Sequence, residues 1–98
     1  MPGLGTIAVA SLPLEARQTL VLIRRGPPFP FAKDGVVFGN YERILPMQRR
    51  GFYHEFTVKT PGRRNRGAQR LIVGGELASS NEIYYTADHY ASSRRVQQ

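Results

Sequence analysis

A chain of 98 residues with 41% hydrophobic side chains has room for one core, so residues 1–98 read as one domain and a second is excluded. The formal net charge of +7 is made by twelve Arg against two Lys, Lys33 and Lys59; planar guanidinium groups bind phosphate oxygens bidentately and stack on bases, which points to nucleic acid. With no cysteine there is neither a disulfide framework nor a thiolate zinc site, two histidines make a poor metal cage, and the longest apolar run, Leu20 to Ile23, is too short to span a bilayer.

The N-terminus has no charged start followed by a long apolar stretch, so no signal peptide is expected. Thr6 to Ala10 is a short β-prone run. Ser11-Leu12-Pro13 then reads as a helix entry, with Ser11 as capping side chain and Pro13 inside the first turn. The helix is predicted over Pro13 to Arg25, because Leu12, Ala16, Leu20 and Ile23 fall on one face, and Gly26-Pro27-Pro28 stops it. Beyond it, Gly, Pro, Asn and Asp separate four β-branched or aromatic runs: Val36 to Phe38, Phe52 to Lys59, Arg70 to Val73 and Ile83 to Thr86. This order predicts an α+β fold, one N-terminal helix on a twisted antiparallel sheet, with the other sheet face left free to bind something.

A hairpin register locates candidate chemistry. If Thr60 to Asn65 is the loop, Lys59 lies opposite Arg66 and Glu55 opposite Arg70; Glu55, Lys59, Arg66 and Arg70 then share a face, while Phe52, His54, Phe56 and Val58 face the helix. A carboxylate among cations is expected there, either as chemistry or as an ordinary cross-strand ion pair. A bulge would shift the register and exchange the faces.

Several segments together resemble the guanyl-specific microbial ribonucleases of the barnase superfamily, particularly the small actinomycete type. They are Leu12-Pro13-Leu14-Glu15-Ala16, Asp34-Gly35-Val36-Val37-Phe38, Asn40 with Glu42, Tyr53-His54-Glu55-Phe56-Thr57-Val58, Thr60-Pro61-Gly62, Arg66-Gly67, and Tyr84-Tyr85-Thr86 with Asp88-His89-Tyr90. The resemblance covers nearly the whole chain. It implies a metal-independent endoribonuclease without cofactor, in which Glu55 is the general base, His89 the general acid, and Arg66 and Arg70 bind the phosphate. RNA carries its own nucleophile, so a carboxylate, cations and an imidazolium suffice: one takes the 2′-hydroxyl proton, one steadies the phosphoryl transition state, and one protonates the leaving 5′-oxygen. The first product would be a 2′,3′-cyclic phosphate, and DNA, lacking the 2′-hydroxyl, would not be cut. A base that must be ionised while an imidazole is protonated predicts a bell-shaped activity profile, from reference values of about 4.3 and about 6.5.

For guanine, the resemblance assigns Glu42 to the N1–H and 2-amino donors, backbone N–H groups of Gly39, Asn40 and Tyr41 to O6, and Phe38 and Tyr90 to the aromatic walls. Phe38 reads equally as core, and Asn40 as a positive-φ turn residue. His54 reads as structural, Arg63 and Arg64 as steering charges, and Arg49-Arg50 and Arg94-Arg95 as solvated surface. Gly39 and Tyr41 stand where family members often carry longer polar or basic side chains, so contacts around the base are expected to differ. The stretch from Gly74 to Glu82 is a few residues longer than in close relatives. Ala8 and the cysteine-free tail leave out the disulfide that closes many relatives, which suits a reducing cytosol; the expected setting is extracellular, with delivery into a target cell's cytosol as a toxic domain held open. The expected partners are RNA and an acidic barstar-like inhibitor or immunity protein, with no membrane, and a monomer is expected. The alternative is a non-catalytic Arg-rich nucleic-acid-binding module, which leaves Glu42 and Glu55 unexplained; a structural interaction domain leaves the Arg bias unused.

Overall fold

The computed structural model describes residues 5–98. Strand β1 (Gly5–Ala8) runs into a 3₁₀ turn at Val9–Ser11, followed by helix α1 (Leu14–Arg25) and strands β2 (Tyr53–Thr57), β3 (Arg70–Gly74), β4 (Glu82–Thr86) and β5 (Arg94–Gln97). They form a five-stranded sheet in the order β1-β5-β4-β3-β2. Every pairing is antiparallel except that of β1 with β5.

Leu12, Ala16, Leu20 and Ile23 are all buried, and with Phe56, Val58, Leu71, Val73, Ile83, Tyr85 and Val96 they make the main core between helix and sheet. The helical spacing of the apolar positions therefore sets which face of α1 meets the sheet. The entry differs from the expected one. Pro13 is the N-cap and carries no side-chain cap, while Ser11 closes the 3₁₀ turn. Proline fits there because its fixed φ suits the helix start and its missing N–H is one the helix could not have used. At the other end Gly26, with φ of 96°, donates to the Leu22 carbonyl at 2.9 Å and turns the chain away.

The β2–β3 register is two residues from the expected one. Glu55 lies opposite Ile72 and Thr57 opposite Arg70, because residues 58–69 form a longer irregular connection instead of a tight hairpin. A two-residue shift preserves the alternation of faces, so Glu55 and Arg70 still share one. Lys59 falls beyond β2, not opposite Arg66, and lines a separate groove beside α1 with Glu15, Phe29 and Phe31.

The sheet face away from the helix is not free along its length. Leu45, Tyr53, Ile72 and Tyr84 form a second buried cluster there, with Phe38, Ile44, Phe52 and Tyr90 packed on it. Phe52 thus belongs to this face and not to the helix side; its ring lies so close over Gly74 that a Cβ there would collide with it. His54 and Phe56 do share the helix-side alternation, across from Val73 and Leu71. Val36 to Phe38 is an edge segment beside β2, with a single bridge from Val37 to His54, instead of a regular strand. Hydrogen bonds from Glu55 N to Val36 O and from Phe38 N to Tyr53 O, both 2.9 Å, fasten it.

Candidate active site

The polar end of the second face is built on one transverse row of the sheet. Thr57, Arg70 and Thr86 stand side by side on β2, β3 and β4, and each orients a part of the cluster. The Thr57 hydroxyl accepts from Arg66 Nε at 2.9 Å, and Arg66 Nη2 reaches Glu55 Oε1 at 3.1 Å. Arg66 is not on a strand; Thr57 and Glu55, two residues apart on one face of β2, bring its guanidinium in from the connecting loop. The threonine was not singled out from the sequence, although its i+2 spacing from Glu55 carried the signal.

Arg70 is 2% exposed. Its Nη1 donates to the carbonyls of Gln69 at 2.8 Å, Gly67 at 3.0 Å and Arg66 at 3.3 Å, so the side chain also holds the loop that carries Arg66. Burial, and then the neighbouring Arg66 charge, lowers its affinity for the proton below the ordinary guanidinium value, against the opposing pull of Tyr90, Glu55 and Asp34. Its Nε and the Tyr90 hydroxyl are both buried without a hydrogen-bond partner among the described residues. Burial, followed by the Glu55 charge, raises the Tyr90 hydroxyl above the ordinary phenol range, which keeps it a neutral donor. Arg66, Arg70 and the Tyr90 hydroxyl thus bring several donors together beside Glu55, an arrangement chemically able to receive an anion.

Thr86 organises the remaining piece. Its hydroxyl donates to Asp88 Oδ1 at 2.8 Å and accepts from Tyr90 N at 3.1 Å. The Asp88 carboxylate takes further bonds from Ser92 Oγ at 2.6 Å and Ser92 N at 2.9 Å, and these, with Thr86, pull its carboxyl down to about 2. Asp88 thus shapes the turn; its carboxylate bonds Thr86 and Ser92 and not the His89 imidazole. Within that turn His89 and Tyr90 take left-handed φ values of 54° and 72°, and His89 N donates to the Ala68 carbonyl at 2.9 Å. The imidazole is exposed, and its ring meets Tyr90 edge-on at 5.2 Å.

A cleft of about 280 Å³ is lined by Val37, Phe38, Gly39, Asn40, Tyr41, Glu42, Ile44, Glu55 and Tyr90. The residues expected to bind guanine and the carboxylate expected to act as base therefore line one depression, and His89 flanks it through Tyr90. Asn40, at φ of 54°, bonds both polar groups of Leu45: Nδ2 to the carbonyl at 3.0 Å and Oδ1 from the amide at 3.1 Å. Its side chain is committed to the turn, which leaves only its backbone for the contact expected with a base. Phe38 has both expected characters, packing on the second core and lining the cleft. Phe38 and Tyr90 are not facing walls, however. Their rings lie against each other, centroids 4.8 Å apart at 34°, and form one continuous aromatic surface.

A family model described as ribonuclease matches residues 3–97. The chain belongs to this ribonuclease family. It is 50% identical over 94 residues to guanyl-specific ribonuclease Sa of Kitasatospora aureofaciens, covering 96% of this chain and 95% of that protein. It is 53% identical to guanyl-specific ribonuclease Sa3 of the same organism, again over 96% of this chain but spanning only 64% of that protein's length. The solved structure of ribonuclease Sa2, studied in complexes with mononucleotides, superposes with a TM-score of 0.92 at 41% identity, covering 100% of this chain and 98% of the other. The ribonuclease fold thus carries the cluster of Glu55, Arg66, Arg70 and Tyr90 at one end of its sheet. Arg63 and Arg64 are exposed on the adjoining loop.

Proposed function

We propose that this ribonuclease cleaves single-stranded RNA on the 3′ side of guanosine without a metal ion. The observation that carries the reading is the ion pair of Glu55 with Arg66 beside a buried Arg70 and the buried Tyr90 hydroxyl, at a cleft that Glu55 and Glu42 both line. The names of the guanyl-specific relatives support it, as do solved structures of ribonuclease Sa2 with guanosine-2′-cyclophosphate and with 3′-GMP.

In the first step Glu55 takes the proton of the 2′-hydroxyl, whose oxygen attacks phosphorus. The bond to the 5′-oxygen breaks, and His89 gives that oxygen its proton, leaving a 2′,3′-cyclic phosphate. Arg66, Arg70 and the Tyr90 hydroxyl hold the phosphoryl oxygens as negative charge builds on them. In the second step His89, now neutral, takes a proton from water, the cyclic ester opens, and Glu55 returns its proton to the 2′-oxygen, giving a 3′-phosphate. The Glu42 carboxylate accepts from guanine N1–H and the 2-amino group, an edge that adenine does not present, while Phe38 supplies stacking that any base can use. The same cations would suit an acidic protein inhibitor.

Cleavage of GpC, ApC and UpC in excess EDTA tests this reading. The parent cleaves GpC in strong preference, and Glu55→Gln or His89→Gln lowers kcat by about 10²-fold or more. RNA binding with all three dinucleotides left intact would overturn it in favour of a binding module.

A further inference from the structure

Asp34 takes no part in the reaction as proposed, yet it ends the edge segment that is bonded along β2. Gly35 N donates to the Glu55 carbonyl at 2.8 Å, and Glu55 N to the Val36 carbonyl at 2.9 Å. The next outward amide of β2 belongs to Thr57, and there the main chain of the segment no longer follows, because residues 32–35 form a turn with Gly35 at φ of 86°. The Asp34 side chain takes the place of the missing carbonyl. Its Oδ1 accepts from Thr57 N at 2.8 Å, and its Oδ2 accepts from Phe31 N at 3.2 Å.

Both contacts need an acceptor, and a carboxylate offers two acceptor oxygens with no donor; asparagine would turn an NH2 group toward one of the two amides. What the carboxylate fixes is Thr57, a buried residue whose hydroxyl accepts from Arg66 Nε at 2.9 Å. Arg66 comes from a loop, and besides Thr57 only Glu55 holds its guanidinium among the described residues. Asp34 is thus the first link of a chain that runs through one backbone amide and one hydroxyl to a cation proposed to hold the phosphoryl group. Its charge also reaches Arg70, but less than that of Glu55 does.

We propose that Asp34 is a positioning residue for the cleavage reaction: it holds the end of β2 so that Thr57 sets the Arg66 guanidinium where charge builds on the phosphoryl oxygens. The inference rests on the ribonuclease reading. A guanidinium displaced by about 1 Å still binds a phosphate but stabilises the transition state less, so the loss falls on kcat more than on KM.

The test is kcat and KM for GpC in excess EDTA, at a temperature where urea unfolding shows each variant folded, for the parent, Asp34→Asn, Thr57→Val, Arg66→Met and the two double variants with Arg66→Met. Asp34→Asn and Thr57→Val should each lower kcat about tenfold with KM within about twofold of the parent's. Where Arg66→Met is already present, each should lower kcat by less than about twofold further. Asp34→Glu, which keeps both acceptors, should recover part of the loss, and Thr57→Val leaves the Asp34 bond to the backbone intact; these two carry the test if Asp34→Asn does not fold. Arg24→Met is the control for lost stability: it frees the carbonyls of Leu77 and Ser80 beside the β3–β4 connection, should destabilise the fold, and should leave kcat unchanged. An unchanged kcat in Asp34→Asn or Thr57→Val, an equal loss in the presence and absence of Arg66, or a kcat that falls as far in Arg24→Met would each overturn the positioning role alone. Failure of the parent to cleave GpC would overturn the ribonuclease reading and the positioning role with it.

Discussion

The two parts of the site are built on different principles. The part proposed to bind phosphate stands on paired strands: Thr57, Arg70 and Thr86 occupy one row of the sheet, and their neighbours inherit their positions from it. The part proposed to read guanine is a loop, held by side chains that bond the backbone: Asn40 to Leu45, and the Tyr53 hydroxyl to the Pro46 carbonyl at 2.6 Å. A sheet row fixes several groups at once and resists local change, which suits reacting atoms. A turn held by a few bonds can change its residues while keeping its shape, which suits recognition.

The largest difference should come from Arg70. Replacing it by Met leaves the carbonyls of Arg66, Gly67 and Gln69 without their donor and should cost about 2–3 kcal/mol in urea unfolding, together with about 10²-fold or more in kcat. Arg66→Met should lower kcat comparably but cost under about 1 kcal/mol, because its ion pair with Glu55 is partly solvated. Equal destabilisation by the two would erase the distinction between a cation that builds the sheet end and one that only serves it.

Asn40→Ala should act at the other end. It removes both bonds to Leu45 and puts a side chain at positive φ with no local compensation, so stability should fall by about 1–2 kcal/mol. The preference for GpC over ApC should drop about tenfold while the rate on ApC stays near the parent's. A uniform loss on both dinucleotides would mean that the turn and the phosphate end are one unit.

The smallest effect is in pH. Burial and then Glu82 raise Tyr53 to about 12, so the neutral hydroxyl's contribution is complete below the ordinary value of 10.0 and is lost as pH rises through about 12. Asp88 has the opposite sign: its contribution is present above 3.8 and is lost as pH falls through about 2. Methyl NMR signals of Ile44 and Leu45 should therefore shift in alkali, and amide signals of residues 86–92 in acid, each before the far-UV circular dichroism changes. Simultaneous change of both segments at either extreme would contradict separate anchoring.

The same contrast decides how much could be read from the sequence. Helix α1 was legible from four apolar positions, and β2, β3 and β4 from β-branched and aromatic runs bounded by turn residues. Glu55 and Arg70 came out on one face even with the register two residues off, because alternation survives an even shift. Strand β5 was not legible. Arg94-Arg95-Val96-Gln97 shows one apolar residue, and its strand character comes from neighbours on both edges, β4 and β1. Nor was Leu45, buried from within a loop to cap the second cluster, since no local period distinguishes it. At the site the roles of Thr57 and the Tyr90 hydroxyl depend on cross-strand neighbours far apart in the chain. The placement of Phe38 against Tyr90 depends on how two loops meet.

The crystal structure of this protein with guanosine 3′-phosphate tests the division of labour most directly. The phosphate should lie against Arg66, Arg70 and the Tyr90 hydroxyl beside Glu55, with guanine on Phe38 and its N1–H edge toward Glu42. A nucleotide bound outside this cleft, or one whose phosphate avoids Arg70 while its base avoids Glu42, would contradict it.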